Sequence, residues 1–132
     1  MLIFYLERPE EGSTFSLFMR SISEKLVLAI CKKFETYAEL NALYPSGSLK
    51  ILNPKIWRYK GTIYKLRVDL GKESARVLFI KTEENNLVLL HGFIKKTRKT
   101  PAKVAMAALR NYERLKNGAA LVPLSALIGA CQ

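Results

Sequence analysis

Three apolar segments follow one another closely between residues 62 and 93, and they constrain the fold more than any other feature. In the first, TIYKLRVDL (62–70), apolar side chains alternate with charged ones, which is the pattern of a half-buried strand. The other two, ARVLFIK (75–81) and NLVLLHGF (86–93), are apolar on both faces, as central strands are. Because the connections are short, these segments predict an antiparallel meander.

The chain before the meander predicts one strand and two helices. Residues 2–6 form a short apolar run that indicates a strand. Apolar side chains at helical spacing then indicate a helical pair, or one bent helix, from Ser13 to about Leu43. Ser13 and Ser23 are suitable N-caps for its two parts. Residues 49–61 have mixed patterning, so we expect an irregular connector there, at most with one helical turn.

The chain after the meander predicts a final helix and an apolar tail. Thr100 and Pro101 suit the N-cap and the first turn of that helix, and Gly118 suits its end. The order of elements predicts an α+β domain over residues 1–117, with a small, mainly antiparallel sheet, an N-terminal helical pair and a C-terminal helix. Residues 118–132 form an uncharged C-terminal tail that is a docking strand, a docking helix or a loosely ordered segment.

The positive charge of the chain is concentrated in one part. The formal net charge is +11, which favours a polyanionic partner such as RNA, DNA, an anionic membrane or an acidic protein. Residues 1–49 hold five basic and six acidic side chains, whereas residues 50–116 hold seventeen basic and five acidic ones. A surplus that served only solubility would be more evenly spread, so this distribution indicates a dedicated anion-binding region.

Several classes of chemistry lack the residues they need. His91 is the one histidine, and Cys31 and Cys131 form no CxxC pattern, so we expect no metal site and free thiols in a reducing cytoplasm. The sequence also has no glycine-rich phosphate loop and no G-x-S-x-G motif, and we expect no cofactor. The opening apolar run is too short for a signal peptide, and no run approaches transmembrane length. These features predict a cytoplasmic protein without a membrane partner.

The candidate functional residues are cations that the meander brings together. Lys65 and Arg67 are two residues apart on one strand and therefore share a face. Arg76 on the returning strand can meet that face, and Lys95 and Lys96 follow the end of the third strand. Such cations hold a phosphodiester, neutralise the charge that develops in phosphoryl transfer and protonate a leaving oxygen. RNA supplies its own nucleophile, the 2′-hydroxyl.

Each candidate also has a structural alternative. Arg76 interrupts an apolar strand, where an unpaired charge is uncommon, and an ion pair with Asp69 is its main structural alternative. His91 is more often a satisfied, half-buried strand residue than a catalytic base, although nearby Lys95 would lower its pKa and favour the neutral form. Three aromatic residues are candidates either for base stacking or for the core: Trp57, Tyr59 and Tyr112.

The segments YKLRVDL, ARVLFI and HGFIKKTRKTP, with the helix that follows them, resemble the RelE/ParE toxin superfamily and specifically its phage-derived, HigB-like branch. The resemblance covers roughly residues 1–117, and the junction HGFIKKTRKTP (91–101) is its most specific part. It implies a RelE-like fold and a toxin of a type II toxin–antitoxin system. Such a toxin is a ribosome-dependent mRNA endonuclease, or mRNA interferase, that inhibits translation by metal-free 2′-hydroxyl attack on the adjacent phosphate. The implied partners are a cognate helix-turn-helix antitoxin, and mRNA and ribosomal RNA at the decoding site.

The roles implied by the resemblance fall on cations by position. Arg76 would stabilise the transition state, and Lys95 or Lys96 would protonate the leaving oxygen or contact phosphate. Lys65 and Arg67 would hold the substrate. The candidate catalytic residues are therefore Arg67, Arg76, His91, Lys95 and Lys96, and the candidate RNA-binding residues are Lys65, Arg98, Lys99 and Lys103.

Two features depart from the family pattern. Some relatives place a Tyr, or a His and an Asp, near the chain's end as general acid or base, whereas only Tyr112 follows Thr100 here. The tail from Gly118 also exceeds the usual end. Two alternative functions stay open: a non-catalytic, phage-derived RNA- or DNA-binding protein on the same fold, and a gyrase-inhibiting ParE-type toxin, which the dense cations of the sheet disfavour.

Overall fold

The computed structural model describes residues 1–6 and 14–131, so the N-cap predicted at Ser13 lies outside the described residues. Within them, a single sheet carries helices on both faces. In chain order the elements are β1 (Ile3–Leu6), α1 (Thr14–Ser21), α2 (Glu24–Leu40), β2 (Leu49–Ile51), α3 (Pro54–Trp57), β3 (Tyr64–Leu70), β4 (Glu73–Lys81), β5 (Leu87–Ile94), α4 (Ala102–Lys116), β6 (Leu121–Pro123) and α5 (Leu124–Cys131). Among the described helices, none is both long and apolar enough to cross a membrane.

The described sheet has six strands in the order β2-β3-β4-β5-β1-β6. The strands β3, β4 and β5 form the predicted antiparallel meander, and β1 is the one described strand that pairs in parallel, with β5. An α+β fold with a mainly antiparallel sheet, an N-terminal helical pair and a C-terminal helix is therefore confirmed.

The two faces of the sheet are covered differently. Alternation in β3 directs Leu66 and Val68 to the first face, where they are buried in one cluster with Phe15 of α1 and Phe34 of α2. On the second face, α4 packs mainly over β5 and leaves much of β2, β3 and the start of β4 uncovered. The charged side chains of β3 point to this uncovered region, because strand residues two apart share a face.

Residues 49–61 are more regular than predicted. They contain the edge strand β2, whose residue Lys50 pairs with Lys65 of β3, and the single helical turn α3. The side chain of Asn53 caps that turn by accepting from the backbone N–H groups of Lys55 and Ile56. The expected helical turn is thus confirmed, whereas the prediction of an irregular connector is wrong for β2. Three residues are too few to show the period of a strand.

The second helix of the pair, α2, begins where the sequence predicts but ends earlier. Ser23 caps α2 as expected, since its Oγ accepts from the backbone N–H of Leu26 at 3.2 Å. The helix ends at Leu40 and not near Leu43. Asn41 adopts the left-handed conformation at φ 51°, and its backbone N–H bonds back to the last turn.

The start of α4 differs from the prediction. Pro101 occupies the N-cap position without a side-chain hydrogen bond, and the helix begins at Ala102. The prediction of Thr100 as N-cap is therefore wrong. Its hydroxyl instead accepts a hydrogen bond from the ammonium of Lys65 at 3.0 Å. A charged donor from another strand binds more strongly to this oxygen than a neutral backbone amide would.

The C-terminal tail docks on the domain. In β6, Val122 pairs antiparallel with Tyr5 of β1, and Leu124 at the start of α5 is buried in the cluster beneath α1 and α2. Of the alternatives that the sequence leaves open for this segment, the structure thus has a docking strand followed by a helix. The burial of Leu124 accounts for part of the apolar character of the tail.

Candidate anion-binding site

The strand register concentrates cations on the uncovered part of the second face. Arg67 of β3 lies directly opposite Arg76 of β4, and Lys65 lies two residues before Arg67 on the same face. Strand β2 then places Lys50 opposite Lys65. Like charges directly across a strand pair repel each other, so this arrangement is unfavourable unless an anion lies nearby.

Asp69 is the anion that the protein itself supplies. One oxygen, Oδ2, lies 3.0 Å from Arg67 Nε, and the other, Oδ1, lies 3.8 Å from Arg76 Nη1. Ser74 Oγ donates to Asp69 Oδ1 at 2.5 Å and accepts from Arg76 Nη1 at 2.7 Å. The hydrogen bond from Ser74, followed by the two arginines, lowers the pKa of Asp69. The structural alternative for Arg76, a pair with Asp69, is thus present.

Arg76 nevertheless also faces open space, because it contributes to a small cleft of about 150 Å³. Small-molecule pockets typically measure about 300–1,000 Å³, so this cleft is closer in size to a phosphate group than to a whole nucleotide. Six of its described lining residues are cations and none is acidic. The cations are Lys50, Lys65, Arg67, Arg76, Lys95 and Arg98, and the cleft is completed by Gly47 and Ser48.

The cations of the cleft repel one another, and this repulsion helps to lower the pKa of two of its lysines. Burial lowers the pKa of Lys65, and the neighbouring Lys95, Arg76 and Lys50 lower it further. The pKa of Lys95 is lowered in the same way, by burial first and then by Arg76, Lys50 and Arg67. A bound anion would relieve this repulsion, so the unfavourable electrostatics of the empty cleft add to its affinity for anions.

The segment that follows β5 is fixed to the sheet at both ends. At one end the backbone N–H of Lys95 donates to the carbonyl of Ser74 at 2.8 Å. At the other end Thr100 receives the hydrogen bond from Lys65. These two attachments hold Lys95 and Arg98 against the cleft, although they come from outside the sheet.

A family model described as "Phage derived protein Gp49-like (DUF891)" matches residues 20–113. The chain belongs to this family. Every described residue that lines the cleft lies within the matched range, whereas β1 and β6 lie outside it. A search of curated proteins finds no significant match to the chain. The phage-derived part of the resemblance is thereby confirmed, and the HigB-like and toxin parts stay predictions.

The structure of this Gp49-like protein brings together five of the residues predicted from its sequence: Lys65, Arg67, Arg76, Lys95 and Arg98. Three others, Lys96, Lys99 and Lys103, are exposed beyond the cleft lining, on the connecting segment and on the first turn of α4. His91 also lies outside the lining. It is half-buried, its Nδ1 atom has no hydrogen-bond partner among the described residues, and burial lowers its pKa, which favours the neutral form.

Of the described residues that line the Gp49-like cleft, Lys50, Gly47 and Ser48 are missing from the sequence prediction, and so is the contact that Thr100 makes beside the lining. Lys50 is missed because β2 is missed, and Thr100 because a local capping pattern hides a contact with a distant strand. Tyr112, the aromatic residue that could replace the terminal acid or base of some relatives, lines a different groove beside Tyr59. No cluster of three or more His, Cys, Asp or Glu side chains occurs in the described part of the chain.

Proposed function

We propose that this Gp49-like protein is the toxin of a toxin–antitoxin pair and acts as a ribosome-dependent mRNA endonuclease without a metal. The observation that carries the proposal is the convergence of six cations on one phosphate-sized cleft around Arg76. These cations come from β2, β3, β4 and the segment after β5, so residues far apart in the sequence together form the cleft. Membership of the phage-derived family supports the same proposal.

In the proposed reaction, the 2′-hydroxyl oxygen of the message attacks the adjacent phosphorus. A bond forms between this oxygen and phosphorus while the bond from phosphorus to the 5′-oxygen breaks, which leaves a 2′,3′-cyclic phosphate and a new 5′-hydroxyl end. Arg76 and Arg67 bind the phosphoryl oxygens as their negative charge grows. Arg76 is only 8% exposed and is tethered by Ser74 and the Ala75 carbonyl, so its guanidinium is oriented before the substrate arrives.

Two lysines of the cleft carry the proton transfers in this scheme. Lys95 gives its proton to the departing 5′-oxygen, because its lowered pKa makes its ammonium a stronger acid than that of an ordinary lysine. Lys65 takes the proton of the 2′-hydroxyl after its ammonium, the form that donates to Thr100, has lost a proton, and its lowered pKa makes that loss easier than for an ordinary lysine. Lys50 and Arg98 hold the flanking phosphates. His91 has no proton transfer in the scheme, since it lies outside the cleft.

The proposed RNA partners follow from the charge distribution. Residues 50–116 carry a net charge of +12 by their sequence, and the exposed cations Lys96, Lys99 and Lys103 extend the basic surface beyond the cleft. We assign these three to ribosomal RNA at the decoding site, with the message in the cleft. The resemblance to the RelE/ParE superfamily, and not the charge, is the basis for the proposed helix-turn-helix antitoxin and the cytoplasmic setting.

A non-catalytic, phage-derived nucleic-acid-binding protein is the second candidate function. One observation favours it: the described lining of the cleft contains no His, Tyr or carboxylate, which are common general bases. This candidate predicts salt-sensitive binding of RNA or DNA without cleavage products.

Expression in a bacterial host distinguishes the two functions. The wild-type protein and the control Lys25→Gln, an exposed substitution on α2, should stop growth and translation and produce messages with new 5′-hydroxyl ends. Arg76→Ala should prevent both effects. Lys95→Gln should prevent them as well, and this less buried residue tests the cleft with little risk to folding.

The decisive measurements are growth, incorporation of a labelled amino acid and mapping of 5′-hydroxyl mRNA ends in ribosomes. Intact messages in arrested cells would refute the nuclease proposal, and a gyrase supercoiling assay would then test the ParE-type alternative. RNA binding without arrest or cleavage would favour the second candidate.

A further inference from the structure

The helix α4 has two distinct sides. Its inner side is buried, with Ala105, Ala108 and Asn111 against the second face of the sheet, and Asn111 Nδ2 donates to the Leu90 carbonyl at 2.7 Å. The outer side recurs at intervals of three and four residues, the spacing of one helical stripe. It consists of Met106, Leu109, Arg110, Glu113 and Lys116. Leu109 packs partly against the second core cluster, but the attachment of α4 to the sheet does not explain why the exposed Met106 lies on this outer side.

The outer side of α4 and the loop 58–60 before β3 together form a groove of about 510 Å³. The groove has a fixed wall. Gly61 adopts φ +111°, and a Cβ there would overlap the hydroxyl of Tyr112, so only glycine permits this close approach. The hydroxyl of Tyr59 donates to the carbonyl of Leu52, which fastens the loop to the end of β2. The groove is thus built into the fold.

The chemistry of the groove combines an apolar floor with a basic rim. Met106 is 54% exposed, and Leu109 is half-buried beside it. The described lining of the groove has one carboxylate, that of Glu113, and four cations: Arg58, Lys60, Arg110 and Lys116. An apolar groove with a basic rim is complementary to a helix that has leucine-like residues on one side and carboxylates beside them.

The aromatic residues of the groove are poor platforms for nucleic-acid bases. The ammonium of Lys116 lies over the ring of Tyr112, 4.3 Å from its centroid, and occupies that face. Tyr59 meets Tyr112 edge-on with a centroid distance of 6.4 Å, so the two rings stabilise each other. Among the described apolar residues of the groove Met106 is the most exposed, and its flexible thioether suits aliphatic side chains. A protein partner therefore fits the groove better than a single-stranded nucleic acid.

We propose that this groove is the docking site for an acidic amphipathic helix of a partner protein. The apolar side chains of that helix seat on Met106 and Leu109, and its carboxylates pair with the cations of the rim, Arg110 foremost. In the part of the chain that the structure describes, the groove shares no lining residue with the anion-binding cleft. The proposal therefore goes beyond the proposed function and does not depend on RNA cleavage.

A pair of synthetic peptides tests this docking site on the full chain. The first peptide has about 18 residues, or five helical turns, with leucines along one stripe and glutamates elsewhere. The second has the same charge but glutamine in place of each leucine. In fluorescence anisotropy, the first peptide should bind the wild-type protein and the second should bind far more weakly.

Two charge reversals then locate the peptide. Arg110→Glu should weaken the leucine peptide by about tenfold at low salt, because it reverses one charge of the rim. Lys25→Glu, the same change on the exposed side of α2, should leave the affinity unchanged. Met106→Ser should weaken the leucine peptide without changing the charge of the protein. Both groove positions are exposed, so these variants should fold.

Three results would overturn the proposal. Equal binding of both peptides would show attraction by charge alone. Peptide binding that survives Arg110→Glu but is lost in Arg76→Ala would place the peptide in the cleft. A single-stranded RNA oligonucleotide that loses affinity in Arg110→Glu while the peptide does not would assign the groove to nucleic acid.

Discussion

Replacing Lys50 by glutamine tests whether the cations of the cleft neutralise phosphates. Lys50 is exposed on the edge strand β2, so its loss should leave the fold intact, yet it lines the cleft and lowers the pKa of Lys65 and Lys95. For a single-stranded nucleic acid, each neutralised phosphate contributes about −0.7 to the slope of log binding constant against log salt concentration. The variant should therefore show a slope that is shallower by about 0.7.

This change is large enough to measure. The six cations, reduced by the charge of Asp69, give a net charge of five, and hence an expected wild-type slope of about −3.5 if each net charge neutralises one phosphate. A difference of about 0.7 between the slopes changes the ratio of wild-type to variant affinity about 2.6-fold between about 50 and 200 mM KCl. The advantage of the wild type should thus shrink as salt is added.

The assay is fluorescence anisotropy with a labelled single-stranded RNA whose 2′-hydroxyl groups are methylated, so that binding is measured without cleavage. Lys25→Gln is the matched control, because Lys25 is an exposed lysine of α2, on the other side of the sheet. Circular dichroism checks that both variants are folded. If Lys50→Gln has the wild-type slope, or if the control changes the slope equally, the cleft is not where the phosphates bind.

Two further substitutions test the packing and the electrostatics that position the site. Gly92→Ala should destabilise the protein by about 1–3 kcal/mol, because the new Cβ would lie 2.5 Å from Cε2 of Phe18. Gly47→Ala is the control, since no described atom lies within 4 Å of a Cβ at that position. Equal melting temperatures of the two variants would contradict this packing. Thr100→Val removes the hydrogen bond that favours the ammonium of Lys65, so the pKa of Lys65 should fall. In a titration between about pH 7 and 10, the variant should therefore lose RNA binding at a lower pH than the wild type. Loss of binding at the same pH in both proteins would show that this hydrogen bond does not stabilise the charge.

The meander and its faces are predictable because each strand is long enough to display its period. The segment Tyr64–Leu70 completes three alternations, and at its centre Leu66 and Val68 are buried while Arg67 and Asp69 are exposed. The strand Leu49–Ile51 has too few residues for any pattern to stand out. Since Lys50 lies within it, the missing strand also removes a cation from the predicted site.

The positions of Thr100 and His91 depend on contacts that no local pattern contains. The partner of Thr100 is Lys65, 35 residues earlier, and its ammonium takes the oxygen that a capping rule assigns to the helix. The register of β4 and β5 shifts between Leu78 and Phe79, so His91 pairs with Leu78 while Leu89 pairs with Phe79. This irregularity changes the alternation of β5 and directs His91 to the second face, which strict alternation would not do.

The outermost strands of the described sheet explain how a protein with such an apolar meander avoids pairing with the sheets of other molecules. An exposed sheet edge can pair with a strand of another molecule, and apolar strands that pair in this way tend to aggregate. Here each edge strand has only three residues. One carries Lys50 at its centre, and the other ends in Pro123, which has no N–H group to donate. The lysine that completes the cleft therefore also protects the sheet from edge-to-edge aggregation.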